Sequence, residues 1–312
     1  LDLSRPDRPA LLGSFTDLGG FSFPHSFVQL PSGNMLATFQ GRGAENTPPG
    51  GLVELSREGR LIRASSARAP AVDSVQMRPY SLGALPAIDR VVSTSTDMRA
   101  AFGAHLQIWR LSDLALLQTI ELPATGEGDG HSHDASMKSR GEDHHLFPGE
   151  PRVLPDGRTV LLATFTCGFY RVTDIDSPHP RVDFLRAFGG ENCAVPVLVG
   201  SLWIQTVPDE HALVTLDVSD AATPREVGRV TFDSTFKPHW LAYDPGGARL
   251  VVNDKKARIL LVRLDERTGA LQLDTTFRDE AATAPGVSFA RTRWSHGETG
   301  AAVPHGSVFS RP

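Results

Sequence analysis

The sequence predicts an all-β fold, a single β-propeller of six blades (seven being the alternative) spanning residues 1–312. Three observations predict it. Sustained helical periodicity is almost absent, and short β-rich runs dominate, such as MLATF from Met35, LQIWRL from Leu106, LWIQTV from Leu202 and RILLVRL from Arg258. Gly (29) and Pro (23) are abundant enough to supply many tight turns. One layout also recurs along the chain, and short strands in a repeat of this kind build propellers.

The repeat reads PHSFVQLPSGNMLATF from Pro24, PYSLGALPAIDRVVSTST from Pro79 and GEPRVLPDGRTVLLATF from Gly149. It returns as CAVPVLVGSLWIQTV from Cys193 and PHWLAYDPGGARLVVND from Pro238, and a last start, PHGSVFS, follows from Pro304. Each unit has a polar or aromatic entrance, a short apolar strand, a turn and a second strong strand. The fifth continues furthest, with Asp265, Glu266 and Gly269 marking its next hairpin. Four antiparallel strands per blade account for a period of about 40–50 residues. A polar His-rich insert at 125–147 interrupts the series and is expected to form a loop over the channel mouth. PHGSVFS has no room for a whole blade after it. The N-terminal ALLGSFTDL, from Ala10, is therefore expected to supply the outer strand, so that both termini close the ring and remove sheet edges.

Composition narrows the function. The net charge is -5 and no Lys/Arg stripe is present, which argues against a nucleic-acid partner. No apolar run approaches the roughly 20 residues of a membrane span. There is no phosphate-cradling Gly-rich motif, no GxSxG elbow and no zincin signature. The chain opens on Leu1, so a removed precursor segment and a secreted or periplasmic location are expected, a trimmed cytoplasmic protein being the alternative. The oligomeric state is left open.

The first strand of each blade lines the channel, so the residue that opens it stands at one mouth. Read through the repeats, that position holds His25, Tyr80, Glu150, Cys193 (or Asn192), His239 and His305. Ring closure would bring His25, His239 and His305 together, and three imidazoles with open coordination positions suit a transition metal such as zinc, copper, iron or nickel. The alternative is a set of channel histidines hydrogen-bonded to water and backbone. Glu150 and Tyr80 would serve as acid/base groups or further ligands. Of the insert histidines, His131, His133, His144 and His145, the last is the best placed to join the metal set, and His144 falls on the substrate side. Arg78 and Lys237 each precede a Pro at the mouth and could meet an anionic substrate or Glu150. Cys167 and Cys193 end neighbouring strands on one face, where a disulfide is feasible and a Cys193 thiolate ligand is the alternative. Trp109, Trp203 and Trp240 are expected in the core between blades.

Two phrases, ALVTLDVSDAATPREVG from Ala212 and YRVTDIDSPHPRVDFLRAF from Tyr170, resemble the repeats of LVIVP-type propellers. PHWLAYDPGGARLVVND is similar to segments of selenium-binding-protein-like and YncE-like propellers. The resemblance spans Pro24 to Asp279. The selenium-binding family includes methanethiol oxidases with a copper site made by channel histidines. It therefore implies copper and an oxidoreductase, with His25, His239 and His305 at comparable strand entrances. This chain is shorter than those enzymes, and its adjacent His-His pair is His144–His145. The expectation is a metal-dependent oxidoreductase acting on a small molecule. A metal-dependent lyase or hydrolase, or a non-catalytic extracellular binding propeller, is the alternative.

Overall fold

The computed structural model describes residues 2–5, 8–14, 18–72, 76–99, 102–123, 145–294 and 299–309. Apart from three short 3-10 turns, the regular structure in these residues is β. It forms five antiparallel sheets of successive strands. Blade one holds β1 (Phe21–Gln29), β2 (Met35–Arg42), β3 (Gly51–Leu55) and β4 (Leu61–Ser66). Blade two holds β5 (Pro79–Leu85), β6 (Arg90–Asp97), β7 (Phe102–Arg110) and β8 (Leu116–Glu121). Blade three holds β9 (Pro148–Val153), β10 (Val160–Thr164), β11 (Gly168–Thr173) and β12 (Arg181–Ala187). Blade four holds β13 (Val197–Val199), β14 (Leu202–Val207), β15 (Ala212–Asp217) and β16 (Arg225–Thr231). Blade five holds β17 (Pro238–Asp244), β18 (Arg249–Asp254), β19 (Arg258–Leu264) and β20 (Leu271–Leu273), and the short β21 (Val287–Ser288) pairs with the other end of β19.

The turn chemistry explains where the first hairpins reverse. Blades one and three turn on Pro-Ser-Gly33 and Pro-Asp-Gly157, whose glycines sit at φ 87° and 66° in the left-handed region that side chains avoid. Blade two turns through a 3-10 segment, Pro86–Ile88, that ends on left-handed Asp89.

Blades pack face to face, so their middle strands are buried on both sides and read as continuous apolar runs. Alternation sends neighbours to opposite interfaces. Leu36 and Leu52 meet Val91 and Trp109 between blades one and two. Val92 and Leu106 meet Leu162 and Tyr170 between blades two and three. Leu161 and Phe169 meet Trp203 and Val214 between blades three and four. Ile204 and Leu213 meet Leu250 and Val262 between blades four and five. A Cys167–Cys193 disulfide, with Cα atoms 5.0 Å apart, also joins blades three and four.

In blades one, two and five a polar side chain ties the second strand to the next first strand. Thr38 Oγ1 donates to the Tyr80 carbonyl and Thr94 Oγ1 to the Gly149 carbonyl, both at 2.8 Å. Asn253 Nδ2 reaches the Pro304 carbonyl in the same sense, at 3.2 Å. The segment from Pro304 therefore stands beside blade five where a sixth first strand would stand. Ser307 reinforces this, its carbonyl accepting from Trp240 Nε1 (3.0 Å) and its hydroxyl bonding Asn253 (2.9 Å). The expected terminal strands do not form a ladder among the described residues. Pro304–Phe309 is held by side chains of blade five, and Ala10 bridges to Asp2 instead of to this segment. Leu18, not a strand of a sixth blade, packs on Phe21, Ala37, Phe39 and Val53 at the outer face of blade one. Of the insert expected at 125–147, only residues 145–147 are described, so His131, His133 and His144 lie outside the described residues.

Candidate metal centre at the channel mouth

A bulge opens the first strand of three blades. His25 and Ser26 together oppose Thr38, Tyr80 and Ser81 oppose Thr94, and Gly149 and Glu150 oppose Ala163. Each bulge follows a Pro, which cannot donate to the ladder, so the break costs little there and re-aims the next two side chains. In blade five the register slips between Pro238 and Trp240, which frees His239. The bulges revise the predicted register at one place. Glu150 shares its position with Ser26 and Ser81, one residue beyond His25 and Tyr80, because Gly149 occupies the entrance.

The mouth is therefore two-layered. In the first layer, His239 Nε2 lies 3.3 Å from His305 Nε2, with ring centroids 5.0 Å apart. His25 stacks on Tyr80 at 3.8 Å and places Nδ1 2.9 Å from the Tyr80 carbonyl. A carbonyl only accepts, so Nδ1 carries the ring proton and the neutral imidazole keeps its lone pair on Nε2. In the second layer, Ser81 Oγ donates to Glu150 Oε2 at 2.6 Å and lies 3.2 Å from Ser26 Oγ. Arg152 holds the same Glu150 oxygen at 2.9 Å and the Pro196 carbonyl at 3.0 Å. The sequence reading missed Arg152. The signal was strand alternation, since Arg152 is two residues beyond Glu150 and faces the same side.

Electrostatics set the protonation states. Burial pushes the His239 pKa down to about 4, helped by the charges of Lys255 and His305. Burial also lowers His25, against the pull of Glu150, and His305 lowers it further. At neutral pH both imidazoles are uncharged, the form that ligates metal. Burial, and then the Glu150 charge, raises Tyr80, so its hydroxyl stays protonated.

The distance within the His239–His305 pair tests whether an ion fits. Two nitrogens bound to one tetrahedral ion at 2.0–2.1 Å are separated by roughly 3.3–3.4 Å. The separation of the pair matches that spacing. His239 Nδ1 is buried and has no hydrogen-bond partner in the protein. Among the described residues no group of three or more His, Cys, Asp or Glu is assembled to hold an ion, so the mouth presents a pair with His25 out of contact.

Other predicted residues stand elsewhere. His145 Nδ1 donates to the Thr166 carbonyl (2.9 Å) and its ring stacks on Phe184 of β12, so it joins the outer part of blade three. Arg78 is buried and bonded to Asp97 (3.0 Å) and to the Gln40 and Asn46 carbonyls, which makes it a tie between blades one and two. Lys237 is exposed, 3.8 Å from Asp209. Asn192 also bonds Asp209, and Cys193 is spent in the disulfide, so blade four adds no ligand.

With this geometry in view, solved structures give the fold. A hypothetical selenium-binding protein from Sulfolobus tokodaii superposes with a TM-score of 0.62 at 12% identity, over 82% of this chain and 66% of its own. The periplasmic gluconolactonase of Pseudomonas aeruginosa gives 0.56 at 15% identity, over 80% and 69%. The β-propeller domain of Cps50 from Myceliophteria thermophila gives 0.57 at 13%, over 88% and 76%. The chain is a β-propeller. It spans about two thirds of the Sulfolobus protein's length. No protein-family model and no curated relative matches the sequence. Among the described residues, no helix of the propeller is long and apolar enough to cross a membrane.

Proposed function

We propose that this propeller is a metal-dependent enzyme acting on a small molecule, with one transition-metal ion on Nε2 of His239 and Nε2 of His305 and with His25 as the next imidazole. The observation that carries the reading is the 3.3 Å separation of the two nitrogens. An all-nitrogen imidazole set suits zinc or copper. Bound there, the ion would supply Lewis acidity and an acidified water. The protein's own groups do the rest. Glu150, fixed by Ser81 and Arg152, is a proton acceptor with one preferred orientation. Tyr80, held protonated, offers its hydroxyl as a hydrogen-bond donor. Arg152 offers positive charge beside Glu150. The disulfide supports an oxidising compartment outside the cytoplasm.

Hydrolysis is the reaction class we favour. Lewis acid, proton acceptor and cation are what attack on a carbonyl requires, and one structural neighbour is the periplasmic gluconolactonase of Pseudomonas aeruginosa. Oxidation is the second reading. It rests on the resemblance of the Pro-His repeats to the selenium-binding family and on the suitability of imidazole for copper. Chelator-treated protein reloaded with zinc or with copper separates the two. Zinc-dependent opening of small lactones without oxygen uptake is expected. Copper-dependent oxygen uptake with a thiol would replace hydrolysis by oxidation, and metal-independent or absent turnover of both substrate types would overturn the enzyme reading.

A further inference from the structure

The loop between β18 and β19, Asp254–Ala257, stands at the same end of blade five as His239. The register pairs Pro238 with Asp254, so the loop starts beside the residue that precedes His239. Against it opens a cavity of about 200 Å³ lined by Thr235, Asp254, Lys256, Ala257, Arg258 and Ser288. Its carboxylates are already engaged. Asp254 Oδ1 accepts the backbone N–H groups of Lys256 (2.9 Å) and Arg258 (3.2 Å). Asp233, behind the cavity, accepts from Arg258 and from the Thr235 hydroxyl. The cations are not all engaged. Arg258 Nε is buried and has no hydrogen-bond partner, while Lys255 and Lys256 pair with no carboxylate among the described residues. Along the lining, Lys256 and Arg258 stand against the one carboxylate of Asp254, which leaves a positive charge in excess beside the Thr235 and Ser288 hydroxyls, while Arg258 also pairs with Asp233.

We propose that this cavity is an anion subsite, which takes the carboxylate or phosphate of an acidic small-molecule substrate whose reacting part lies at the His239–His305 pair. The assignment of a substrate class rests on the proposed function, but anion binding itself does not require the metal. The orphaned Arg258 Nε favours an anion here over water, because a charge-assisted hydrogen bond to a guanidinium is roughly twice as strong as a neutral one. Lys256 supplies the long-range attraction.

The test is titration of inorganic phosphate and of acetate, separately and at constant ionic strength, into chelator-treated protein, followed by calorimetry. At least one probe is expected to bind with 1:1 stoichiometry, and the tighter one names the charged group of the substrate. The Lys256→Ala variant, altered at an exposed side chain, is expected to bind at least fivefold more weakly with unchanged thermal stability. Arg258→Lys, which keeps the charge but loses Nε, should also weaken binding. If neither probe binds, or if Lys256→Ala binds both as well as the parent protein, the subsite is disproved whatever the metal content. Metal-free protein that still binds the probe tightly would keep the subsite even if the metal reading failed.

Discussion

The His239→Ala protein is expected to hold less than a hundredth of the parent's affinity for zinc or copper, and to purify without the roughly one ion per chain that the parent should carry. The magnitude follows from ligand count. Loss of a group that merely orients a ligand costs 10–100-fold in metal affinity, and loss of a ligand itself costs at least that. A two-imidazole pair reduced to one cannot chelate. The linked effect is on stability, since a ligand at one hundred times its dissociation constant stabilises the folded state by about 2.7 kcal/mol. The parent's melting temperature should rise on adding metal and that of His239→Ala should not. His305→Ala is the matching variant, on a segment without strand pairing, where misfolding of a blade is not an issue. Metal content equal to the parent's in both variants would place any ion elsewhere.

The largest stability effect is expected at Trp203. Its side chain is fully buried between blades three and four, 4.8 Å from the Phe169 ring, and its Nε1 donates to Gln205 Oε1 at 3.0 Å. Trp203→Ala removes that packing, leaves a cavity and strips the buried Gln205 carbonyl of its donor. Truncation of a buried Trp costs about 3–5 kcal/mol, and an orphaned buried acceptor lies within or adds to that range. The check is the midpoint of denaturant unfolding at unchanged slope, so that the shift reports stability alone. A loss below about 1 kcal/mol would mean that the interface between these blades collapses around the gap or is not packed as described.

The blades were legible because turn chemistry and apolar runs are local signals. Pro-Ser-Gly33 and Pro-Asp-Gly157 mark reversals whatever surrounds them. The Pro-His entrances were legible for the same reason; repeat position led to the expectation that His25, His239 and His305 converge, and the structure brings His239 and His305 into contact. The rest depends on tertiary register. Glu150 moved by one position because Pro148 takes the place that Pro24 and Pro79 hold, each ahead of the same bulge, so Gly149 stands at the entrance. Arg78 looks like a rim cation in sequence, yet the carbonyls of Gln40 and Asn46 and the carboxylate of Asp97 enclose it. His145 was placed by its distance from Glu150 along the chain, whereas Phe184 and the Thr166 carbonyl draw it to the outer strands. Among the described residues the terminal segments show no strand ladder, because Pro304–Phe309 finds side chains of blade five instead.

X-ray absorption at the metal edge, on protein loaded with one equivalent of zinc, probes the pair most directly. Imidazole nitrogen scatterers at about 2.0–2.1 Å, reduced in number in His305→Ala, are the expected result. A shell of oxygen alone, unchanged by that substitution, would contradict a metal centre on His239 and His305.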